Sequence, residues 1–354
     1  MLEALENGVK GDKWFSLIDK VWSPANLRSS FKAVKANDGA SGTDGQSIAM
    51  FEANIEREIP VLSEELRSGR YRPRPVRRTY IDKPGSKEKR PLGIPTVRDR
   101  VVQNALRRVL EPIFEHTFAE SSYGFRPRRS CKGALAEVRD GMIKENRLWI
   151  VDADIKSYFD TIPHSWMMRR IEERVADGRV LELIRMFLTQ GVMDGMKYWE
   201  PEEGTPQGGV ISPLLANIYL NPLDHALKAK GVRMVRYADD FVVLCHTRDE
   251  AEETLAYIRE WVTANGLNLH PEKTRLVDMT QAGASFEFLG FHFERTQRTN
   301  KIDRWPRKKS EDKLKDKIRK LTPRNCPKSM SEIVRKLNSM LKGWFNPTFL
   351  TPSR

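Results

Sequence analysis

Three carboxylates stand out by type and setting. Asp154 ends the apolar run Trp149-Ile-Val-Asp-Ala-Asp154, and Asp239 and Asp240 lie in Tyr237-Ala-Asp-Asp240, between the apolar runs 232–237 and 241–245. If those two runs form a hairpin, the paired acids sit at its tip, and a neighbouring strand can bring Asp154 beside them. Clustered like charges oppose one another's ionisation and are costly without cations. The donors are hard oxygens with no Cys or His cluster nearby, a set that favours Mg²⁺. Two such ions can clamp an in-line phosphoryl transfer, one acidifying an attacking 3′ hydroxyl and the other holding a triphosphate. Asp is also an ordinary solvated turn residue; what sets this tip apart is the apolar strand on each side, which makes it a fixed position.

The rest of the chain supplies elements to hold these acids. Residues 1–36 read as mostly helical, and 35–45, with three glycines, break that pattern. Residues 51–66 read as another helix. Between Tyr71 and Ile94 the prolines and alternating segments predict a β-hairpin with Lys83-Pro-Gly-Ser86 as its turn. A helix over about 98–118 carries the apolar face Val101, Val102, Ala105, Leu106, Val109, Leu110 and Ile113. The centre alternates: a strand over 148–153, helices over 165–175 and 180–189, and a helix to about Lys230 capped by Ser212 and Pro213. Then come the two strands around Asp239–Asp240, a helix opened by the capping box Thr247-Arg-Asp-Glu250, and strands over 276–279 and 286–293. A basic, polar segment leads to helices over 310–321 and after the capping box Ser329-Met-Ser-Glu332.

Charge is distributed unevenly over the 354 residues, whose formal net is +13. Residues 67–90 hold ten Lys or Arg against two acids, and residues 298–328 hold thirteen against four, so the remainder is slightly acidic. Two basic blocks flanking a less charged centre predict surfaces that grip a polyanion on either side of a site. With 39% apolar residues the chain can fill real cores, which excludes global disorder. No run of 18 apolar residues exists, so a spanning helix is not expected and no membrane partner is implied. The start shows no apolar segment of the secretory kind. Cys131, Cys245 and Cys326 lie far apart and make neither a disulfide framework nor a zinc knuckle, which makes a cytoplasmic, reducing setting the default expectation.

Tyr237-Ala-Asp-Asp240 matches the signature of reverse transcriptases, and further blocks follow in order. Residues 35–45, Arg90-Pro-Leu-Gly-Ile-Pro-Thr-Val-Arg-Asp-Arg100, Ser122-Tyr-Gly-Phe-Arg-Pro127, Asp154-Ile-Lys-Ser-Tyr-Phe-Asp160, Gly204-Thr-Pro-Gln-Gly-Gly-Val-Ile-Ser-Pro213, Pro271-Glu-Lys-Thr274 and Phe288-Leu-Gly290 resemble the conserved blocks of group II intron-encoded reverse transcriptases, the maturase family. The resemblance runs from about Leu27 to Trp344. It implies an α+β right-hand polymerase fold, with fingers, a palm of antiparallel sheet packed on helices, and a short helical thumb. The expected divisions are 1–70 for an N-terminal extension, 71–147 for fingers, 148–297 for the palm and 298–354 for a partial thumb or X region.

The resemblance also implies roles. Asp154, Asp239 and Asp240, with the backbone carbonyl of Ile155, would hold two Mg²⁺ ions, and Asp154 rather than Asp152 would be the ligand on that strand. Phe159 would pack under the incoming sugar and disfavour a 2′ hydroxyl. Gln207 would line the nucleotide pocket, and Asp160 would be a structural hydrogen-bond acceptor. Lys83, Lys89 and Arg90 would meet the triphosphate, in competition with Arg77, Arg78 and Lys87. Lys273 would donate a proton to departing pyrophosphate. Phe288, Leu289 and Gly290 would grip the primer. His116, His164 and His292 read as structural.

The implied activity is RNA-directed DNA synthesis from dNTPs on an RNA template with a DNA or RNA primer, and the implied further partner is structured group II intron RNA whose splicing and mobility the protein assists. The chain stops ten residues after Trp344, so a full thumb bundle, a DNA-binding region and an HNH endonuclease are expected to be missing. Two other readings stay open: an RNA-binding maturase with little polymerase activity, or a host-adopted reverse transcriptase in repair or phage defence. An RNA-dependent RNA polymerase is a more distant one.

Overall fold

The computed structural model describes residues 13–82, 89–296, 301–325 and 329–345. Its organising element is a four-stranded antiparallel sheet in the order β6 (Arg233–Tyr237), β7 (Asp240–Cys245), β3 (Trp149–Asp154), β8 (Arg275–Asp278). Side chains alternate between the faces of a strand. Val151, Ala153, Met234, Phe241, Val243 and Cys245 join one large core with α10 (Ser212–Ala229), α8 (His164–Glu172) and α11 (Arg248–Ala264). Ile150, Val235, Val242, Leu244 and Val277 join a second core with α6 (Cys131–Ile143) and with the phenylalanines of β9 (Ser285–Phe288) and β10 (Phe291–Arg295). Both faces are therefore buried. On the second face, β3 reads Ile150, Asp152, Asp154, and β7 reads Leu244, Val242, Asp240. Apolar packing gives way to acids at one end of one face.

Helices from the N-terminal part complete the first core. These are α1 (Ile18–Trp22), α2 (Pro24–Asn37), α3 (Ile48–Ala53), α4 (Ile55–Ser68) and α5 (Val97–Glu115). The Thr96 hydroxyl caps α5 by accepting from Asp99 N at 3.1 Å, and its predicted apolar face is fully buried. A second sheet runs β2 (Lys89–Ile94), β1 (Val76–Asp82), β4 (Val192–Asp194), β5 (Lys197–Trp199), and a third runs β11 (Ile302–Pro306), β10, β9. The short helix α7 (Tyr158–Thr161) follows β3, α9 (Gly178–Leu188) precedes β4, and α12 (Lys308–Leu321) and α13 (Met330–Phe345) close the chain order. No helix among the described residues is long and apolar enough to cross a membrane. Cys131 and Cys245 are free thiols, and Cys326 lies outside the described residues.

Several sequence expectations change in detail. The helix over 51–66 is two helices, broken at Asn54. Ser212 is the first residue of α10 rather than its cap, because its hydroxyl donates to Pro206 O at 2.9 Å. The run 286–293 is a hairpin, with Leu289 (φ 50°) and Gly290 (φ 80°) as its loop. Phenylalanines on both sides of the loop, at 286, 288, 291 and 293, make the two strands read as one. The predicted turn at Lys83-Pro-Gly-Ser86 lies outside the described residues, although the flanking strands pair as expected, from Arg77 with Ile94 to Asp82 with Lys89.

Candidate active site

Asp154 and Asp240 face each other directly across the β3–β7 ladder, and Tyr237 pairs with Asp240 across β6–β7. The loop of that hairpin is therefore only Ala238 and Asp239. Asp239 sits at the tip, whereas Asp240 is the first residue of a strand, a correction to the expectation that both acids occupy the turn. Ala238 has φ 61°, a left-handed value normally left to glycine at the first position of a type II′ loop.

Buried neighbours hold this strained loop in place. The Arg236 guanidinium has no solvent exposure, and all five of its N–H groups are used. It donates to Asp224 Oδ1 at 2.7 Å and Oδ2 at 2.6 Å, and to Asn217 Oδ1, Ser122 Oγ and Ala238 O, each at 2.9 Å. Burial alone would lower the Arg236 pKa, but the Asp224 carboxylate more than offsets this and holds it above its ordinary value. Asn217 in turn donates to Gly124 O at 2.7 Å. Gly124 packs so closely under the loop that a Cβ there would collide with the Ala238 backbone nitrogen.

Burial and crowding by like charges disfavour ionisation of Asp239 and Asp240. Burial, then the carboxylates of Asp152, Asp239 and Asp154, push Asp240 up to about 7, against a backbone hydrogen bond from Leu289. Burial raises Asp239 as well, with Asp154 adding and Arg90 and Lys273 opposing. Asp152 is raised by burial, although Arg275 Nε lies 3.2 Å from its Oδ2. Asp154 has a cationic partner already: Lys273 Nζ is 2.6 Å from its Oδ2.

Ile155 forms an isolated antiparallel bridge with Leu269, flanked by Lys156 N donating to Asn268 O and His270 N donating to Asp154 O. In such a pair the central residue's own N–H and C=O point away from the bridging strand, so the Ile155 carbonyl stays available. Among the described residues no group of three His, Cys, Asp or Glu side chains stands in metal-ligating arrangement. The donor chemistry nevertheless fits a hard divalent ion: three Asp side chains, a free carbonyl, and an electrostatic burden that a cation would relieve.

Around the acids, Gln207 Nε2 donates to Asp160 Oδ2 at 2.8 Å, and Gly93 N donates to Gln207 O at 2.7 Å. Gly208, with φ 107°, brings this loop so close to β2 that a Cβ would strike Gly93 O. Partial burial pushes Asp160 upward, opposed by Gln207 and by the Arg78 and Arg90 guanidiniums. Arg90 thus acts electrostatically on both Asp160 and Asp239. Lys89 is exposed on β2, whereas Arg77 is spent on Ser41 O at 2.8 Å and Arg78 stacks on Trp199. Lys83 and Lys87 lie outside the described residues.

Phe159 is half-buried, its ring edge-on to Tyr158 at 5.5 Å, and Tyr158 is a core residue whose hydroxyl donates to Ala216 O at 2.6 Å. Phe288 is buried, whereas Leu289 and Gly290 form the neighbouring loop. Arg307 N and Ser310 Oγ both donate to Gly290 O, at 3.0 and 3.2 Å, which docks the start of α12 on that loop. A cleft of about 390 Å³ opens there, lined by Leu289, Gly290, Phe291, Lys313, Lys317 and Trp344. His164, His116 and His292 bond to Gly204 O, Pro112 O and Glu294, which are structural contacts.

Sequence reasoning missed Arg236, Asp224, Asn217 and the supporting Gly124. One signal was available: Arg236 follows the apolar pair Met234-Val235 in a strand, and an arginine there must be paired if buried.

Similarity to known proteins defines the class. A family model for reverse transcriptase (RNA-dependent DNA polymerase) matches residues 81–293, and one for the group II intron maturase-specific domain matches residues 311–346. The chain belongs to the group II intron-encoded reverse transcriptase and maturase family, a family of enzymes. Protein YkfC of Escherichia coli K12 is 34% identical over 314 residues, covering 77% of this chain and 81% of YkfC. The group II intron-encoded protein LtrA of Lactococcus lactis subsp. cremoris is 42% identical over 194 residues, covering 55% of this chain and 32% of LtrA. The matched part thus spans about a third of LtrA's length. Telomerase from Candida albicans, solved with a fragment of telomeric RNA, shares the fold, with a TM-score of 0.52 over 85% of this chain and 59% of that one at 14% identity.

Proposed function

We propose that this chain is an RNA-directed DNA polymerase of group II intron type, which extends a primer 3′ hydroxyl with dNTPs by two-metal phosphoryl transfer. The observation that carries the reading is the direct pairing of Asp154 with Asp240 beside a two-residue loop bearing Asp239. In this reading the sheet β6-β7-β3-β8 is the palm, residues 148–297. The β1–β2 hairpin belongs to fingers over 71–147, residues 1–70 form the N-terminal extension, and α12 and α13 are a partial thumb over 298–354.

Asp154, Asp239, Asp240 and the Ile155 carbonyl would hold two Mg²⁺ ions, which when bound supply charge neutralisation at the reacting phosphate and acidify the attacking hydroxyl. The protein's own groups do the rest. Arg90 and Lys89, with Lys83, bind the triphosphate. Gln207, oriented by Asp160, lines the nucleotide pocket. Phe159 packs under the sugar and excludes a 2′ hydroxyl. Lys273 Nζ gives a proton to the leaving pyrophosphate. Phe288, Leu289 and Gly290 hold the primer end, and the lysines of the adjoining cleft meet phosphates.

A second activity, binding of structured intron RNA and assistance of its splicing and mobility, is favoured by the maturase-specific match at residues 311–346. One paired assay tests both. With Mg²⁺ and dTTP, the intact chain is expected to extend oligo(dT) on poly(rA), and Asp239→Ala to lower the rate by about 10²-fold or more. Splicing of a cognate intron by the same variant is expected to persist. An inactive wild-type chain, or an undiminished Asp239→Ala, contradicts the polymerase reading. Loss of splicing by Asp239→Ala contradicts a separate maturase role.

A further inference from the structure

Next to Tyr237, the strand partner of Asp240, stands an exposed aromatic side chain that joins no hydrophobic core. Phe125 is 51% exposed and belongs to neither hydrophobic core. Its φ is 58°, a left-handed conformation that a glycine would adopt without strain. Strain of this kind persists only where the surroundings impose it, and it concentrates at functional sites. The surroundings here are well defined. Tyr123 N donates to Arg236 O at 2.8 Å and Arg236 N to Ser121 O at 2.9 Å, so this segment runs alongside β6. Gly124 is wedged under Ala238, and the Phe125 ring then lies 6.3 Å from the Tyr237 ring at 48°.

That placement extends a row. Tyr237 pairs with Asp240, and Asp240 pairs with Asp154. Phe125 and Tyr237 therefore form an aromatic shelf leading up to the carboxylates. Three residues on, Arg128 is exposed, as is Lys132, so the segment that carries Phe125 presents positive charge to solvent. An apolar, aromatic surface edged with cations matches the end of a nucleic acid duplex, with sugars and base edges flanked by phosphates.

We propose that Phe125, whose ring lies beside Tyr237, contacts the sugar and base edge of the terminal pair of the template–primer duplex and so fixes the primer end over Asp154, Asp239 and Asp240. This rests on the polymerase reading for the identity of the ligand, but not for its test. Phe125 is here a positioning residue: it touches the duplex, not the reacting atoms.

The test uses the intact chain with a fluorescent DNA primer annealed to an RNA template, with affinity read by anisotropy and turnover by extension. Phe125→Gly removes the ring and the strain together, and Phe125→Tyr keeps the ring. Phe125→Gly is expected to melt no lower than wild type, to weaken duplex binding about 10-fold, and to leave KM for dNTP unchanged. Phe125→Tyr is expected to stay within about twofold of wild type, a rescue that follows from retained stacking. Wild-type duplex affinity in Phe125→Gly overturns the proposal, as does a loss of affinity matched by a loss of melting temperature. The failure of the polymerase reading looks different: a wild-type chain that binds duplex without extending it, with Phe125→Gly still weakening that binding.

Discussion

Lys273 and Asp154 lie 119 residues apart in sequence, yet Lys273 Nζ stands 2.6 Å from Asp154 Oδ2. The lysine side chain is 61% exposed, so this pair contributes little to stability, under about 1 kcal/mol. Its value is position: it keeps an amine beside the proposed reaction centre. Lys273→Ala is expected to slow primer extension about 10²-fold through kcat, as loss of a general acid does, with little change in melting temperature. Single-turnover extension and thermal denaturation measure the two. Unaltered turnover would remove Lys273 from the mechanism.

Asp240 makes stability depend on pH. Its pKa is raised from 3.8 to about 7, so the folded, cation-free chain holds a proton that the unfolded chain releases. The favourable contribution is complete below about pH 4 and is lost as pH rises through about 7. At one pKa unit per 1.36 kcal/mol, the ceiling on this cost is about 4 kcal/mol. Asp240→Asn removes it. In EDTA, the variant is expected to melt above wild type at pH 8 and to lose that advantage towards pH 4. Added Mg²⁺ is expected to narrow the gap at pH 8 by stabilising wild type alone. A constant difference across the range would mean that Asp240 bears no such charge burden.

The Arg236–Asp224 pair predicts a severe folding phenotype. Both side chains are fully buried, and removing one strands the other's charge, at about 3–5 kcal/mol. Asp224→Ala and Arg236→Met are each expected to lower the denaturant midpoint substantially. The double variant should be less destabilised than the sum, because neither charge is then unpaired. Strict additivity in denaturant titrations would show that the two groups do not act as a pair.

Phe159 predicts sugar selectivity. Its ring packs against Tyr158, which anchors it from below. Phe159→Val is expected to leave dNTP incorporation within a few-fold and to raise NTP incorporation about 10–100-fold, the scale of a small steric difference in a pocket. Competition between dTTP and UTP on poly(rA) measures the ratio, and an unchanged ratio would relieve Phe159 of that role.

Much of this site can be read from sequence because its parts are locally encoded. The apolar runs around Asp154 and Asp239–Asp240 predicted paired strands, and the structure pairs them. The refinement is that Asp240 begins a strand, since a two-residue loop leaves room for Asp239 alone. Capping signals at Thr247 and Ser329 placed α11 and α13 correctly. What could not be read depends on long-range packing. Strands β4 and β5 are three residues each and β11 lacks alternation, so their pairing partners decide them. The Arg236 network joins Ser122 from one loop with Asn217 and Asp224 from α10, and Asp152, next to Asp240 electrostatically, looked like a bystander on its strand. The strain at Phe125, Ala238 and Leu289 is invisible to patterns because none of the three is glycine.

Asp154, Asp239 and Asp240 are proposed to share divalent ions, and Mn²⁺ binding followed by electron paramagnetic resonance counts those ions. With template–primer and a dNTP present, the intact chain is expected to take up two equivalents. Asp154→Asn and Asp240→Asn should each lose at least one of them, about 10-fold or more in affinity on the scale of losing a ligand's support. Two equivalents bound with unchanged affinity in both variants would contradict the account.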